Sequence, residues 1–211
     1  ADWQYRVDFH RLVKERLKRA QDAMEAADLG ALVLFAGANI RYVTGAYQGN
    51  WKYNIDIRYA VLPGGGEPIL FETAGSDLQC AIIDLPWMEG RIRPAITWKW
   101  AEGAVPYRAG RMADSVVEVL KEHGLMNERI GIDNLDNAAL KAFTDRGVNI
   151  ADAWPVMSKA RASWKVAQAD ARQSFTGSSA RLYDAAPLLA SPHRFSAATV
   201  PAGPNKETAE S

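Results

Sequence analysis

The residues best suited by type and spacing to chemistry form one aromatic, amide-rich stretch, which contains Tyr47, Trp51, Tyr53, Asp56 and Arg58. The stretch shows neither helical nor strand periodicity, and this predicts a loop. Exposed aromatic rings beside a fixed cation can recognise a small carboxylate or ammonium ligand. The alternative is that the loop packs on its own domain or on a second subunit, with Asp56 pairing with its neighbour Arg58.

Two carboxylates, Asp133 and Asp136, directly follow a predicted strand, which is a common place for ligands in open α/β sheets. A small hydrolase that uses both acids is therefore one possible function. However, the pair Asp133-Asn134 is also typical of a turn that caps the helix after it. We favour the capping role for Asp133.

Other residue types that often perform catalysis lack a supporting pattern. His10, His123 and His193 are not spaced as metal ligands, for example in a His-Glu-x-x-His motif. The single cysteine, Cys80, excludes a disulfide framework and a cysteine-based zinc site, and we expect it to pack within the apolar face of a helix. The run Gly64-Gly65-Gly66 joins two predicted strands, so a hairpin turn is favoured over a phosphate-binding loop. We expect no catalytic and no metal-ligating residue in this chain alone.

Composition narrows the choice of partners and compartment. Lys and Arg total 25, Asp and Glu total 25, and the formal net charge is zero, which argues against nucleic acid as the main partner. No apolar run approaches the roughly 20 residues needed to span a bilayer, so no membrane role is expected. The single cysteine and the absence of a signal-peptide pattern at the start predict a reduced, cytoplasmic setting.

The pattern of hydrophobic residues predicts alternating helices and strands. Residues 8–27 form an amphipathic helix, residues 31–35 a fully buried strand, and residues 39–44 a short helical turn that Gly45 ends. This alternation, with one hairpin, predicts an α/β fold in which a mixed β-sheet is flanked by helices. The remaining predicted strands cover residues 58–62, 68–71, 91–100, 129–132 and 148–151, and the remaining helices cover 76–85, 109–123, 137–146 and 154–161.

The character of the sequence changes after Lys165. Residues 1–165 have the composition of one globular domain, whereas residues 166–211 form an atypical tail rich in Ala, Ser and Pro. We expect residual helix at the beginning of this tail and disorder from about Pro192 onward.

The first domain resembles the N-terminal domain of the creatinase/prolidase family, which includes Xaa-Pro dipeptidases and creatinase. The strand at residues 31–35, followed by Asn39-Ile-Arg-Tyr-Val-Thr-Gly45, is similar to the signature strand and turn of that family. Segments 58–62 and 67–71 resemble its hairpin, and 129–133 resembles its later strand. Residues 156–161, followed by Lys165, are similar to the segment that leads to the catalytic domain.

The resemblance implies the family's N-terminal fold, which contains a ribonuclease H-like motif, and a role without catalysis. In that family a second, "pita-bread" domain performs the chemistry with two divalent metal ions, held by two Asp, one His and two Glu. The present chain has no stretch that could supply this set. The implied partners are a second copy, as a homodimer, or a catalytic pita-bread domain. By position, Trp51 and Arg58 resemble the loop that would reach a neighbouring subunit's active site and contact substrate there.

The sequence departs from the family at the junction after Arg161, where Ala162-Ser163-Trp164-Lys165 continues into the Ala/Ser/Pro-rich tail. This departure suggests a truncated or frame-shifted form of a metal hydrolase. The alternative hypothesis is a stand-alone scaffold module that binds a small ligand or another protein.

Overall fold

The computed structural model describes residues 8–46 and 58–162. The predictions for the aromatic loop around Trp51 and for the tail lie outside the described residues. The same holds for the domain boundary at residue 165 and for the idea of a truncated or frame-shifted junction.

Six strands form one mixed sheet, which confirms the predicted fold class. The order across the sheet is β4-β3-β2-β1-β5-β6. The pairs β1/β2 and β2/β3 are antiparallel, whereas β1/β5, β3/β4 and β5/β6 are parallel. The strands are β1 (Ala31–Leu34), β2 (Tyr59–Pro63), β3 (Ile69–Glu72), β4 (Ile92–Pro94), β5 (Arg129–Ile132) and β6 (Asn149–Asp152).

Helices cover both faces of this sheet. The helices are α1 (Phe9–Glu25), α2 (Gly37–Thr44), α3 (Ser76–Asp84), α4 (Val105–Glu122), α5 (Asn137–Thr144) and α6 (residues 154–162), with a 3-10 turn at Pro86–Met88. Side chains from α4 and α5 pack with one face of the sheet, and side chains from α1, α2, α3 and α6 pack with the other. None of the described helices is both long and apolar enough to cross a membrane.

Strand β1 lies at the centre of the core because all of its side chains are apolar. Successive side chains of a strand point to opposite faces, so Val33 packs on the α4/α5 side while Leu32 and Leu34 pack on the other. All four residues of β1 are buried. A strand with helices on both faces needs such a continuous apolar run, which is the feature that predicted β1 from the sequence.

The predicted hairpin is confirmed between β2 and β3. The Gly66 N–H donates to the Pro63 carbonyl at 3.1 Å and closes the turn. Gly65 has φ of 69°, a backbone conformation that residues with a Cβ rarely adopt. The run Gly64-Gly65-Gly66 therefore forms part of the hairpin turn.

The strand predicted at residues 91–100 is much shorter in the structure. It covers Ile92–Pro94 alone and lies at an edge of the sheet, as Pro94 suggested. Its partner strand ends at Glu72, which pairs with Pro94, so no ladder continues beyond that point. Trp98, which the alternating pattern assigned to the strand, instead turns into the core and is 1% exposed.

Two apolar assignments were also wrong on helix α3. Cys80 is exposed rather than packed in an apolar face. The helical spacing in residues 76–85 also places Ile82 on the same predicted apolar side as Ala81 and Leu85, but Ile82 is 48% exposed while the other two are buried. Helix α3 packs at the sheet edge next to the three-residue strand β4, where little apolar surface is available to cover a wide helix face.

Candidate functional site

The polar side chains of interest gather at one edge of the sheet, which we call the carboxyl edge. Strand β1 ends there beside the start of β2, because Leu34 pairs with Ala60. Strands β3 and β5 also end there, since β3 is antiparallel to β2 and β5 is parallel to β1. Arg58 directly precedes β2, and Asp133 directly follows β5, so the topology brings both residues to this edge.

Arg58 forms a buried ion pair with Glu72, the last residue of β3. The Arg58 Nε donates to Glu72 Oε1 at 3.1 Å, and the terminal Nη2 lies 2.8 Å from Oε2. The Arg58 side chain is 11% exposed and that of Glu72 is 1% exposed. The Thr73 N–H also donates to Glu72 Oε1, at 2.9 Å. The pair therefore fixes the backbone just before the start of β2.

Burial raises the pKa of Glu72 above its ordinary value, and the nearby carboxylate of Asp77 adds to this effect. The positive charge of Arg58 and the N–H of Thr73 act in the opposite direction. Arg58 therefore stabilises the ionised form of Glu72. Trp51, the other residue predicted to contact substrate, lies outside the described residues.

The prediction that Asp133 caps the helix that follows it in sequence is wrong, and its carboxylate instead binds the backbone between β1 and α2. Its Oδ1 accepts from the Phe35 N–H at 2.7 Å and from the Ala36 N–H at 3.2 Å. Its Oδ2 accepts from Asn39 Nδ2 at 2.8 Å. The N-cap residue of α2, Ala36, makes no side-chain capping hydrogen bond, and Asp133 binds the two backbone N–H groups just before the helix and the side chain of Asn39 within it.

The environment of Asp133 pulls its pKa in two directions. Burial raises the pKa, and the N–H donors of Phe35, Asn39 and Ala36 oppose the rise only in part. These donors engage both carboxylate oxygens, which leaves Asp133 suited to a structural role rather than to metal binding. Within the described ranges, no group of three or more His, Cys, Asp and Glu residues could hold a metal ion.

Asp136, the second acid, has two partners of its own. Its Oδ1 accepts from the Ala139 N–H at 2.8 Å and caps α5. Its Oδ2 accepts from the indole Nε1–H of Trp98, also at 2.8 Å. The capping that the sequence predicted for Asp133 is performed by Asp136, which also holds the buried Trp98 in place.

We expect Asp136→Ala to lower the free energy of unfolding by about 2 kcal/mol, because it removes a helix cap and leaves the Trp98 indole without its acceptor. Asp136→Asn is the matched variant, since its carbonyl oxygen keeps the cap while its amide N–H groups repel the indole N–H. Urea denaturation should place Asp136→Asn between the wild type and Asp136→Ala. Equal stability of the two variants would show that the indole contact contributes nothing.

A third polar residue, Asn39, connects Asp133 to helix α6. Asn39 is fully buried; its amide donates to Asp133, and its Oδ1 accepts from Arg161 Nη1. The Arg161 guanidinium also lies over the Trp154 ring, 5.5 Å from the ring centroid. Sequence reasoning missed this chain of contacts. The sequence held no signal for it, because α2 also contains the polar residues Arg41 and Thr44.

The described histidines take surface positions, as predicted. His10 is exposed on α1, and His123 is the C-cap residue of α4, with its Nδ1 2.9 Å from the Val119 carbonyl oxygen. His193 lies outside the described residues.

Comparison with known proteins gives a consistent result. Residues 16–163 match the family profile of the Creatinase/Prolidase N-terminal domain. The fold is similar to that of an Xaa-Pro aminopeptidase from Streptococcus thermophilus, with 16% identity, a TM-score of 0.50, and coverage of 71% of this chain and 98% of that one. It is also similar to a proline dipeptidase from Streptococcus pneumoniae, with 15% identity, a TM-score of 0.50, and coverage of 69% and 96%.

Some relatives are much longer than the matched region. Against an Xaa-Pro dipeptidase from Bacillus anthracis, with 12% identity and a TM-score of 0.47, the match covers 67% of this chain but 34% of that one. A comparison with curated protein sequences found no match.

Proposed function

Because the chain belongs to the creatinase/prolidase N-terminal domain family, we propose that it acts as the non-catalytic N-terminal domain of an Xaa-Pro-peptidase-type metal hydrolase. In this role it supports dimerisation and forms one wall of a neighbouring subunit's active site. The observation that carries the proposal is the family match over residues 16–163. The two divalent metal ions and the hydrolytic chemistry would belong to a pita-bread domain.

The carboxyl edge supplies the physical support for a role of the aromatic loop. The loop rejoins the sheet at Arg58, whose guanidinium is held against Glu72 in a buried ion pair. A loop with one rigid end pays less conformational entropy when it contacts a partner. We assign Trp51 to direct contact with substrate in the neighbouring subunit. Arg58 would fix the end of this segment next to β2 through its ion pair with Glu72.

Sedimentation equilibrium of the purified 211-residue chain tests the dimerisation part of this proposal. We expect a reversible dimer, whose dissociation can be followed by dilution. A monomer at every accessible concentration would contradict it. In the same preparation we expect no hydrolysis of Xaa-Pro dipeptides with added Mn²⁺, and hydrolysis lost in Asp136→Ala would instead support a small hydrolase that uses its own acids.

A stand-alone binding module is the second candidate function. Three aromatic side chains on the described surface favour it: Trp100 is 83% exposed, Tyr107 67% and Trp154 49%. Exposed aromatic rings are common anchors in protein interfaces. Saturable binding of a small carboxylate, lost in Trp51→Ala, would favour this candidate. We place either form in the cytoplasm because the sequence has a single cysteine.

A further inference from the structure

The described part of the chain ends in helix α6, and its last turn is held by side chains from a single neighbouring element. The Tyr42 hydroxyl of α2 donates to the Ala160 carbonyl at 2.8 Å. Asn39, three residues earlier on α2, accepts from Arg161. Residues three apart on a helix share a face, so one face of α2 holds both the backbone and a side chain of the α6 end.

These two hydrogen bonds fix the rotation of α6 about its own axis, which apolar packing alone would leave free to vary. Val156, Met157 and Ala160 are buried in the core cluster on the α1/α2 side of the sheet. Apolar contact is non-directional and tolerates sliding of a short helix. A charge-assisted hydrogen bond, in contrast, requires a defined distance and angle.

The contact of Arg161 is itself anchored deep in the fold. Asn39 is fully buried, and its amide is fixed by the Asp133 carboxylate, which also holds the Phe35 N–H. The side chain that receives Arg161 therefore cannot rotate without losing a buried hydrogen bond. On its other side, the Arg161 guanidinium lies over the ring of Trp154, which is the first residue of α6.

We propose that Asp133, Asn39 and Arg161 form a latch that fixes the orientation of α6, and with it the direction in which the chain leaves this domain. The latch residues are positioning residues, since they act through the helix and touch no reacting group. The existence of the latch does not depend on the proposed function. Its effect on a second domain rests on that function: if a catalytic domain follows, the latch sets the angle at which that domain is attached.

Hydrogen exchange of the full 211-residue chain, followed by mass spectrometry, tests the latch. Arg161→Met should speed exchange of the amides at residues 157–162 by about tenfold, because it removes a charge-assisted hydrogen bond that opposes local opening. Lys159→Met is the matched control, since Lys159 is an exposed cation on the same helix. Exchange in α4 should stay unchanged in both variants.

A second variant separates the latch from general stability. Tyr42→Phe removes only the hydroxyl that holds the Ala160 carbonyl, so it should speed exchange in the same segment by a smaller factor and add to Arg161→Met. Wild-type exchange at residues 157–162 in Arg161→Met would overturn the proposal. Equal acceleration in Lys159→Met, or acceleration throughout the domain, would overturn it as well. Because no outcome depends on dimerisation or catalysis, failure of the latch is distinct from failure of the proposed function.

Discussion

Asp133→Ala is expected to lower the free energy of unfolding by about 3–5 kcal/mol, since buried donors left unpaired cost about 1–3 kcal/mol each. The variant leaves the Phe35 N–H, the Ala36 N–H and the Asn39 amide without their acceptor. Water can reach part of the gap from the carboxyl edge, which keeps the cost below the full sum. Urea denaturation at neutral pH measures the change.

Asp133→Asn is the graded control for this variant. Its carbonyl oxygen can still accept from the two backbone N–H groups, but its amide meets the Asn39 amide donor to donor. We expect a smaller loss than for Asp133→Ala. A loss below about 1 kcal/mol in Asp133→Ala, the size of one ordinary hydrogen bond, would show that water replaces the carboxylate.

The ionisation of Asp133 also makes the free energy of unfolding depend on pH, in a direction that follows from its raised pKa. Because burial raises its pKa in the folded state above the ordinary value for an aspartate, the folded protein binds this proton more tightly than the unfolded chain does. The stability from this group is fully present below the pKa of the unfolded chain and is lost as the pH rises through the raised folded pKa. Asp133→Asn should remove this part of the pH profile, which denaturation at a series of pH values would show.

Arg58→Met is expected to destabilise the protein by a similar amount, about 3–5 kcal/mol at neutral pH, which is typical when one partner of a buried ion pair is removed. The Glu72 side chain, 1% exposed, would keep its charge with only the Thr73 N–H to balance it. Arg93→Met is the control, since Arg93 pairs with Glu122 in an exposed contact of 3.0 Å. We expect a loss below about 1 kcal/mol for that surface pair.

The cost of Arg58→Met should depend on pH with a definite sign. Loss of the cation raises the pKa of Glu72 further, so the cost is largest at neutral pH, where Glu72 must be charged. The cost falls as the pH drops toward the ordinary pKa of a glutamate, because the carboxyl then takes up a proton. The double variant Arg58→Met/Glu72→Gln should recover most of the loss. A cost that is equal at pH 4 and pH 7 would contradict the role of the ion pair.

The fold was predictable where the signal is local. The three- and four-residue spacing in α1, the apolar run of β1 and the glycine turn between β2 and β3 each state a local preference that the tertiary structure also satisfies. The strand at residues 91–100 was overpredicted because the alternation around Trp98 matched a strand, while the partner strand β3 ends at Glu72. The sequence of one strand does not show where its partner strand ends.

The candidate site was less predictable because its contacts join distant parts of the chain. Asp133 was expected to cap the next helix, but its carboxylate binds the Phe35 N–H, 98 residues earlier in the chain. Local reasoning assigned it to the nearest helix, which Asp136 caps. The ion pair of Arg58 with Glu72 across the hairpin was also missed. Asp56, the partner named in one alternative, lies outside the described residues.

The central claim is that this domain forms one wall of a neighbouring subunit's active site, and the most direct test is kinetic. The measurement joins residues 1–162 of this chain to the pita-bread domain of a metal-dependent Xaa-Pro peptidase and compares Trp51→Ala with Trp100→Ala. The account predicts a dimeric, active chimera in which Trp51→Ala raises KM for an Xaa-Pro dipeptide about tenfold, as expected for loss of an aromatic anchor. The exposed control Trp100→Ala should leave KM unchanged. A dimeric, active chimera with the same KM in both variants would contradict the claim.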